Sequence, residues 1–356
     1  VKRKMESQVK KYDGKENLDE EKQEDFFPED LLRLTSLTDV AKDVRNSLYG
    51  AEGKLVNGDK VLLILTDGLG WNLFKETGIE GCQKIRSVFP TITITAITTL
   101  ITAKSPGEHG ILGWKIYDKR KGRIVDLLSS LRRGENIDFD MPSSFLRRNE
   151  SIFVTPFAGS SKLLLSKLTG AEVRNYYTPY DSLSTLMSSL KGKRFSLFYI
   201  PYVDTVSHHY GPSSLETAEA VREVSKIVKK AVDIGKSQGF TVVITSDHGQ
   251  IDVEKNLDIS KDLELLEKVE VPPFGDNRNL MIVSRYDVSE VFRKYNATVL
   301  TRDLLSIYAG GGQVPDYAVV PRGKITLNYW VDESLEYKGS HGGYSREELE
   351  IPLCIF

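Results

Sequence analysis

Three aspartates close short apolar runs in this 356-residue chain: Asp67 after VLLILT, Asp204 after FSLFYIPYV and Asp247 after VVITS. His208 follows Asp204 by four residues, His248 follows Asp247 directly, and His341 lies among glycines in YKGSHGGYS. Taken singly, each has an ordinary reading, as a polar turn, a surface contact or a loop histidine. Together, three carboxylates and three imidazoles suit two borderline cations such as zinc, each held by oxygen and nitrogen donors. Two ions about 3.5–4 Å apart can bridge the attacking and leaving oxygens of a phosphoryl transfer. For a nucleophile the chain offers Thr91, Thr93 and Thr95 in FPTITITAITTLITAK. These precede a stretch that reads as a helix, whose N-terminal amides favour an anion. The T-I-T-I-T alternation fits a strand equally well, and spacing does not choose among the threonines.

The elements that must carry these groups follow from apolar patterning. KVLLILTDG, RFSLFYIPYVD and FTVVITSDHG are continuous apolar runs, too short for most helices, as strands buried on both faces read. The helical stretch SSLETAEAVREVSKIVKKAVDIGKSQG between the last two is the crossover that parallel strands require. Ligands of open α/β sheets bind beyond the carboxyl ends of the strands, so the three aspartates are expected on one edge. If the chain turns helical after the second strand, Asp204 and His208 share a face. Asp247 and His248, adjacent on extended backbone, point opposite ways and can serve different ions. EDLLRLTSLTDVAKDVRNSLYG predicts one leading helix from about Glu29, ended at Gly50. Residues 115–193 change texture, opening with a hairpin-like WKIYDKRKGRIVDLL, and are read as a cap or insertion. AGGGQVP lacks the lysine of a phosphate-binding loop and is read as a connection.

With 48 basic and 50 acidic residues, no net field draws polymeric nucleic acid or an anionic membrane surface. Cys82 and Cys354 form no closely spaced pair, so free thiols, a reducing compartment and a cytoplasmic location are expected. Residues 1–28 are strongly charged and are read as a mobile tail, leaving 29–356 as one catalytic domain. No apolar run reaches the length of a membrane span. Oligomeric state is not legible.

In chain order, Asp67 after LLILT, then FPTIT, EHGI, DTVSH, SDHG and GSHGG resemble the motif series of the alkaline phosphatase superfamily. The chain looks most like the type I phosphodiesterase/nucleotide pyrophosphatase branch, from about Lys60 onward. The resemblance implies a three-layer α/β/α fold with a central mostly parallel sheet, and hydrolysis of small-molecule phosphate esters through two zinc ions and a phospho-threonine. It implies that Asp204, His208 and His341 hold one ion and Asp67, Asp247 and His248 the other, with Thr93 as nucleophile. Two departures are informative. Where the family places a base-stacking phenylalanine after the nucleophile, this chain has Ile94-Thr95-Ala96, and Trp114 stands where the family has a phosphate-binding asparagine. Trp114 is therefore a candidate substrate contact through its indole N–H, and His109 and His209 are expected to lie outside the ligand set. A sulfatase is excluded by the residues after Cys82, Gln-Lys-Ile. Phosphomonoesterase, phosphonate hydrolase, phosphoglycerate-mutase-like and non-catalytic metal-binding alternatives stay open.

Overall fold

The computed structural model describes residues 27–51, 53–133, 139–156, 165, 166, 168–330 and 336–356. The charged N-terminal stretch thus lies, up to residue 26, outside the described residues. Phe27, expected in the tail, is instead buried, its ring 4.9 Å from Tyr308 and 6.3 Å from Phe89.

Numbered along the chain, the central sheet holds β1 (Val61–Thr66), β2 (Cys82–Arg86), β5 (Ser151–Pro156), β6 (Glu172–Tyr176), β7 (Phe195–Ile200), β8 (Thr241–Thr245) and β17 (Glu350–Ile355). Their order is β2-β17-β8-β1-β7-β5-β6, parallel from β8 to β6, with β17 antiparallel to both its neighbours. The three apolar runs that end in aspartates are β1, β7 and β8, adjacent at the centre. Every residue of β1 and β7 is buried, because helices cover both faces. The helices that matter here are α1 (Leu37–Leu48), α2 (Thr93–Thr102), α3 (Pro106–His109), α4 (Pro179–Ser189), α5 (Tyr202–Tyr210), α6 (Leu215–Ser237) and α7 (Arg346–Leu349). Leu63 and Leu65 face α1 and α2, whereas Leu62 and Ile64 face α4 and α6, the period of two expected of a strand between two helical layers.

A second, antiparallel sheet comprises β3 (Lys115–Asp118), β4 (Arg123–Asp126), β11 (Phe274–Asp276), β12 (Asn279–Ile282), β13 (Ala297–Thr301) and β14 (Tyr317–Pro321), in the order β13-β14-β12-β11-β3-β4. Two short pairs tie the lobes together: β9 (Ile251–Asp252) with β16 (Gly339–Ser340), and β10 (Lys255–Asp258) with β15 (Ile325–Asn328). The segment 115–193 therefore does not stay together as a cap. Its opening hairpin joins the second sheet, while β5, β6 and α4 return to the central layers.

Two further expectations are corrected. The single leading helix is a short 3-10 turn, Glu29–Arg33, followed by α1, because Ser36 and Asp39 form a capping box that starts a new helix. Apolar periodicity runs through such a break without registering it. Cys82 and Cys354 are joined in a disulfide, since they lie directly opposite each other in the β2–β17 ladder, with Cα atoms 4.3 Å apart. Their wide separation in sequence hid a cross-strand pairing, and the cytoplasmic expectation loses that support, because disulfides persist mainly in oxidising compartments. In denaturant without reductant, thiol titration is expected to find no free cysteine, and two after reduction. Cys354→Ser should lower stability by about 2–4 kcal/mol, read from urea melts.

Candidate metal centre and its threonine

Asp67 is the first residue beyond β1, and Asp247 and His248 follow β8 by one and two residues after Ser246. Asp204 lies in the first turn of α5 and His208 one turn later, so the helix after β7 presents both on one face. Gly68 permits this approach: a Cβ there, at φ +71°, would meet the Asp204 Cα at 2.8 Å. Gly249 serves the other side, where a Cβ would collide with the Glu347 carbonyl. His341 follows β16, on the loop between that strand and α7.

Each of the two innermost carboxylates has one tethered and one bare oxygen. Asp247 Oδ1 accepts the backbone N–H groups of Gly68 (3.1 Å) and His248 (2.9 Å), and Asp67 Oδ2 accepts the Tyr199 hydroxyl. Asp67 Oδ1 and Asp247 Oδ2 are buried without a hydrogen-bond partner, and each is 3.4 Å from His248 Nε2. Thr93 Oγ1 is 3.1 Å from that same nitrogen. Three donor atoms therefore converge with the Thr93 hydroxyl beside them, as three protein ligands and a reacting oxygen do in a catalytic zinc site. Asp204 Oδ1 faces His208 Nε2 at 3.3 Å and His341 Nε2 at 3.7 Å, and accepts a 2.5 Å bond from the Gln250 amide. Among the described residues, donor atoms of Asp67, Asp247 and His248, and of Asp204, His248 and His341, lie within 4.8 Å of one another. His248 thus stands between the two, its ring stacked on His341 at 3.6 Å, with His208 on the outer side of Asp204.

All three imidazoles are turned the same way. The Nδ1 atoms of His208, His248 and His341 donate to the carbonyls of Gly339 (2.9 Å), Gly249 (3.1 Å) and Thr91 (2.8 Å). This turns each Nε2 toward the carboxylates, the orientation in which histidine ligates a metal, although at His208 burial is outweighed by the facing Asp204 carboxylate, which pushes the pKa up. Burial lowers the pKa of His248 and His341 to about 4, which keeps them neutral. Burial, then the charges of Asp204 and Asp247, pushes the Asp67 carboxyl up, and burial carries Asp247 to about 6. Burial also opposes charge on Asp204, but facing His208 it is drawn below the usual carboxylate range. Bare buried oxygens among clustered carboxylates and neutral imidazoles fit cations and little else.

The helix reading of the threonine stretch holds over the strand reading. Thr93 is the first residue of α2, after Ile92, whose side chain caps nothing, so the first-turn amides have no side-chain acceptor. Thr95 is the third residue of α2, its hydroxyl buried without a partner, and Thr91 is engaged in hydrogen bonds to Gly342 and Gly343. The structure thus brings seven of the eight candidate residues together. Trp114, the eighth, is half-buried just before β3 and packs against the core beneath α2. His209 is exposed, its ring edge-on to Tyr337. Tyr199, Gln250 and Asp276 were not singled out from the sequence. Tyr199 looks like ordinary strand filler, and Gln250 is marked only by following SDHG. Asp276 belongs to the distant β11, where burial pushes its carboxyl up and the charges of His341, Lys115 and His208 moderate the shift.

A family model for type I phosphodiesterase/nucleotide pyrophosphatase matches residues 61–284. The chain belongs to that family. Among its relatives, an uncharacterized pyrophosphatase/phosphodiesterase of Schizosaccharomyces pombe is 23% identical over 190 residues, covering 47% of this chain and 38% of that protein. Ectonucleotide pyrophosphatase/phosphodiesterase family member 1 of Mus musculus is 23% identical over 237 residues, covering 62% of this chain but only 26% of its own length. The match therefore spans well under half of these relatives. Two solved structures share the fold. One is an inactive murine ectonucleotide pyrophosphatase/phosphodiesterase 5 in complex with AMP (TM-score 0.61, 15% identity, 83% of this chain and 87% of that one). The other is phosphonoacetate hydrolase of Sinorhizobium meliloti 1021 with phosphonoformate (TM-score 0.58, 15% identity, 83% and 89%). The type I phosphodiesterase fold of this chain is thus alkaline-phosphatase-like, a mixed α/β architecture around a mostly parallel central sheet.

His109, in the EHGI motif, is packed rather than ligating. Its Nδ1 accepts the Ile111 N–H at 3.1 Å and its Nε2 lies 3.0 Å from Thr99 Oγ1. Burial lowers its pKa to about 3. A folded-state pKa below the unfolded value favours the neutral ring, so this contribution is complete above about pH 6.5 and is lost as pH falls toward 3. Between pH 7 and 4.5 the loss should be about 2–3 kcal/mol. Urea melts of His109→Gln at the two pH values should show a difference smaller by that amount than the parent's.

Proposed function

We propose that the protein is a metal-dependent hydrolase of small-molecule phosphate esters, acting on phosphodiesters or nucleotide pyrophosphates through a phospho-threonine at Thr93. The observation that carries this reading is the convergence of Thr93 Oγ1, His248 Nε2 and two bare carboxylate oxygens at the uncapped start of α2. Two divalent ions, proposed to be zinc, would be held by Asp67, Asp247 and His248 and by Asp204, His208 and His341. When bound they supply charge that lowers the pKa of a hydroxyl or water and offsets developing negative charge on oxygen. The remaining work falls to the chain. Thr93, fixed at the first helical position, presents its oxygen to phosphorus, and the free amides of the first turn of α2 face the non-bridging oxygens. Asp67 and Asp247, each tethered through one oxygen, hold their geometry without help from solvent. The family and fold support the reaction class, and the phosphonate-bound neighbour keeps phosphonates as a second substrate class. We treat residues 29–356 as one catalytic unit. Among the described residues no helix is long and apolar enough to cross a membrane. The disulfide leads us to place the protein in a compartment oxidising enough to keep it.

Zinc-loaded protein assayed on p-nitrophenyl monoester, diester, phosphonate and dinucleotide substrates should turn over the diester fastest. Thr93→Ala should abolish turnover while retaining both ions by elemental analysis. Phosphate trapped on Thr91 or Thr95 by mass spectrometry would overturn the assignment.

We also propose that Trp114 lines the leaving-group side and donates its indole N–H to a non-bridging oxygen. Trp114→Phe keeps much of the ring and removes the donor. The expected outcome is a fall in kcat on the order of 10²–10³ with KM little changed. A kcat within about threefold of the parent, roughly 0.6 kcal/mol, would reduce Trp114 to a packing role.

A further inference from the structure

The loop carrying His341 is gripped from the second lobe, and we propose that the turn at 277–278, between β11 and β12, sets how tightly the Asp204 and His341 half of the centre holds its cation. The inference rests on the two-cation reading above. Ser340, one residue before His341, donates its hydroxyl to Asn277 Oδ1 at 2.9 Å. Arg278 is fully buried and donates through Nε and Nη2 to the two carboxylate oxygens of Glu348, at 3.1 and 2.9 Å. Glu348 in turn accepts the backbone N–H groups of Gly343 (2.8 Å) and Ser345 (3.2 Å). The chain is thus tied to the same turn immediately before His341 and again two residues after it.

The turn itself is anchored in the second lobe. Arg278 Nη1 donates to the carbonyls of Pro321 (3.0 Å), Gly323 (2.8 Å) and Ile325 (2.8 Å), and the Leu327 N–H donates to the Asn277 carbonyl at 2.9 Å. Thr91 holds the loop from the other side. Its carbonyl accepts His341 Nδ1, and its hydroxyl accepts the Gly342 N–H at 3.0 Å and donates to the Gly343 carbonyl at 2.7 Å. Between the two grips there is room only for glycine: at Gly342, where φ is +127°, a Cβ would stand 3.1 Å from the Arg278 Cβ. Thr91 therefore orients the imidazole, while the 277–278 turn fixes the position of the backbone that carries it. Among the described residues, the hydrogen bonds of Asn277 and Arg278 reach none of Asp67, Asp247 and His248, so the grip acts on one half of the centre. Asn277 and Arg278 are positioning residues, acting on the cation through His341. Groups that orient metal ligands typically account for 10–100-fold in metal affinity.

The Ser340–Asn277 bond offers the cleanest test, because it can be removed from either end without unpairing the buried Arg278–Glu348 ions. Zinc binding to the full chain is measured by competition with chelators of known affinity for the parent, Asn277→Ala, Ser340→Ala and the double variant, alongside melting of the metal-free proteins. We expect the parent to bind two ions. Each single variant should weaken one of them about 10–100-fold and leave the other within about threefold. The double variant should be no worse than the singles, since all three lack the same bond. Metal-free melting temperatures should stay close to the parent's. Unchanged affinities would overturn the inference alone, as would equal weakening of both ions or a loss that follows melting temperature. A parent that binds fewer than two ions would overturn both this inference and the two-cation reading.

Discussion

Three carboxylates enclosed together at the ends of adjacent parallel strands set the terms for the rest of the structure. Two unit charges about 4 Å apart repel by about 4 kcal/mol at an effective dielectric constant of 20. Enclosing three without compensation would be a severe strain on a fold whose whole stability is on the order of 10 kcal/mol. Among the described residues, no ion pair to lysine or arginine neutralises them. The surroundings tether one oxygen of Asp67 to Tyr199, one of Asp247 to two backbone amides, and Asp204 to Gln250, and turn the bare oxygens of Asp67 and Asp247 toward the neutral imidazole of His248. An arrangement that keeps both the charges and the lone pairs available is organised for cations, and the same repulsion becomes attraction once they are present.

Sheet register makes the enclosure possible. Thr66 of β1 pairs with Ile200 of β7, and Leu65 with Thr245 of β8, so the three strands end at nearly the same level and their next residues emerge side by side. The backbone beyond each strand then takes the form its ligands require. After β7 the chain turns at once into α5, which puts Asp204 and His208 on one face. After β8 it stays irregular, so that neighbouring Asp247 and His248, which extended backbone would point opposite ways, instead converge, with Asp247 Oδ2 3.4 Å from His248 Nε2. Rigid elements hold four of the six proposed ligands close to the ends of β1, β7 and β8, and α5 carries His208, leaving His341 as the one that arrives from a loop far along the chain.

That difference explains what the sequence made legible. The strands could be read because burial on both faces leaves continuous apolar runs, and their terminal aspartates because a charge closing such a run is conspicuous. Thr93 was separable from Thr91 and Thr95 only through the family resemblance; the structure adds that Thr95 is turned away and Thr91 is committed to the His341 loop. The supports escaped notice because each is an ordinary residue in its local context. Tyr199 sits in a hydrophobic strand, Gln250 in a turn, and Asn277 and Arg278 in a hairpin 64 and 63 positions before His341. The disulfide and the second sheet escaped for the same reason, since both are built from segments distant in sequence, whose pairing leaves no periodic trace. The capping box at Ser36 was readable in principle, as Ser-Leu-Thr-Asp, but apolar periodicity on either side of it obscured the break.

The electrostatic account also bears on which esters suit the proposed centre. Asp67, Asp204 and Asp247 together carry three negative charges, and two divalent ions would bring four positive ones, leaving an excess of one. A phosphodiester carries a single negative charge at neutral pH and matches that excess, whereas a dianionic monoester would leave one charge unbalanced in a low-dielectric site. Among the described residues, no arginine is gathered at the centre to take up the second charge, since Arg278 is already satisfied by Glu348 and three carbonyls. Charge balance at the proposed two-ion centre would thus favour diesters. On that reading, discrimination would lie in the phosphoryl group itself.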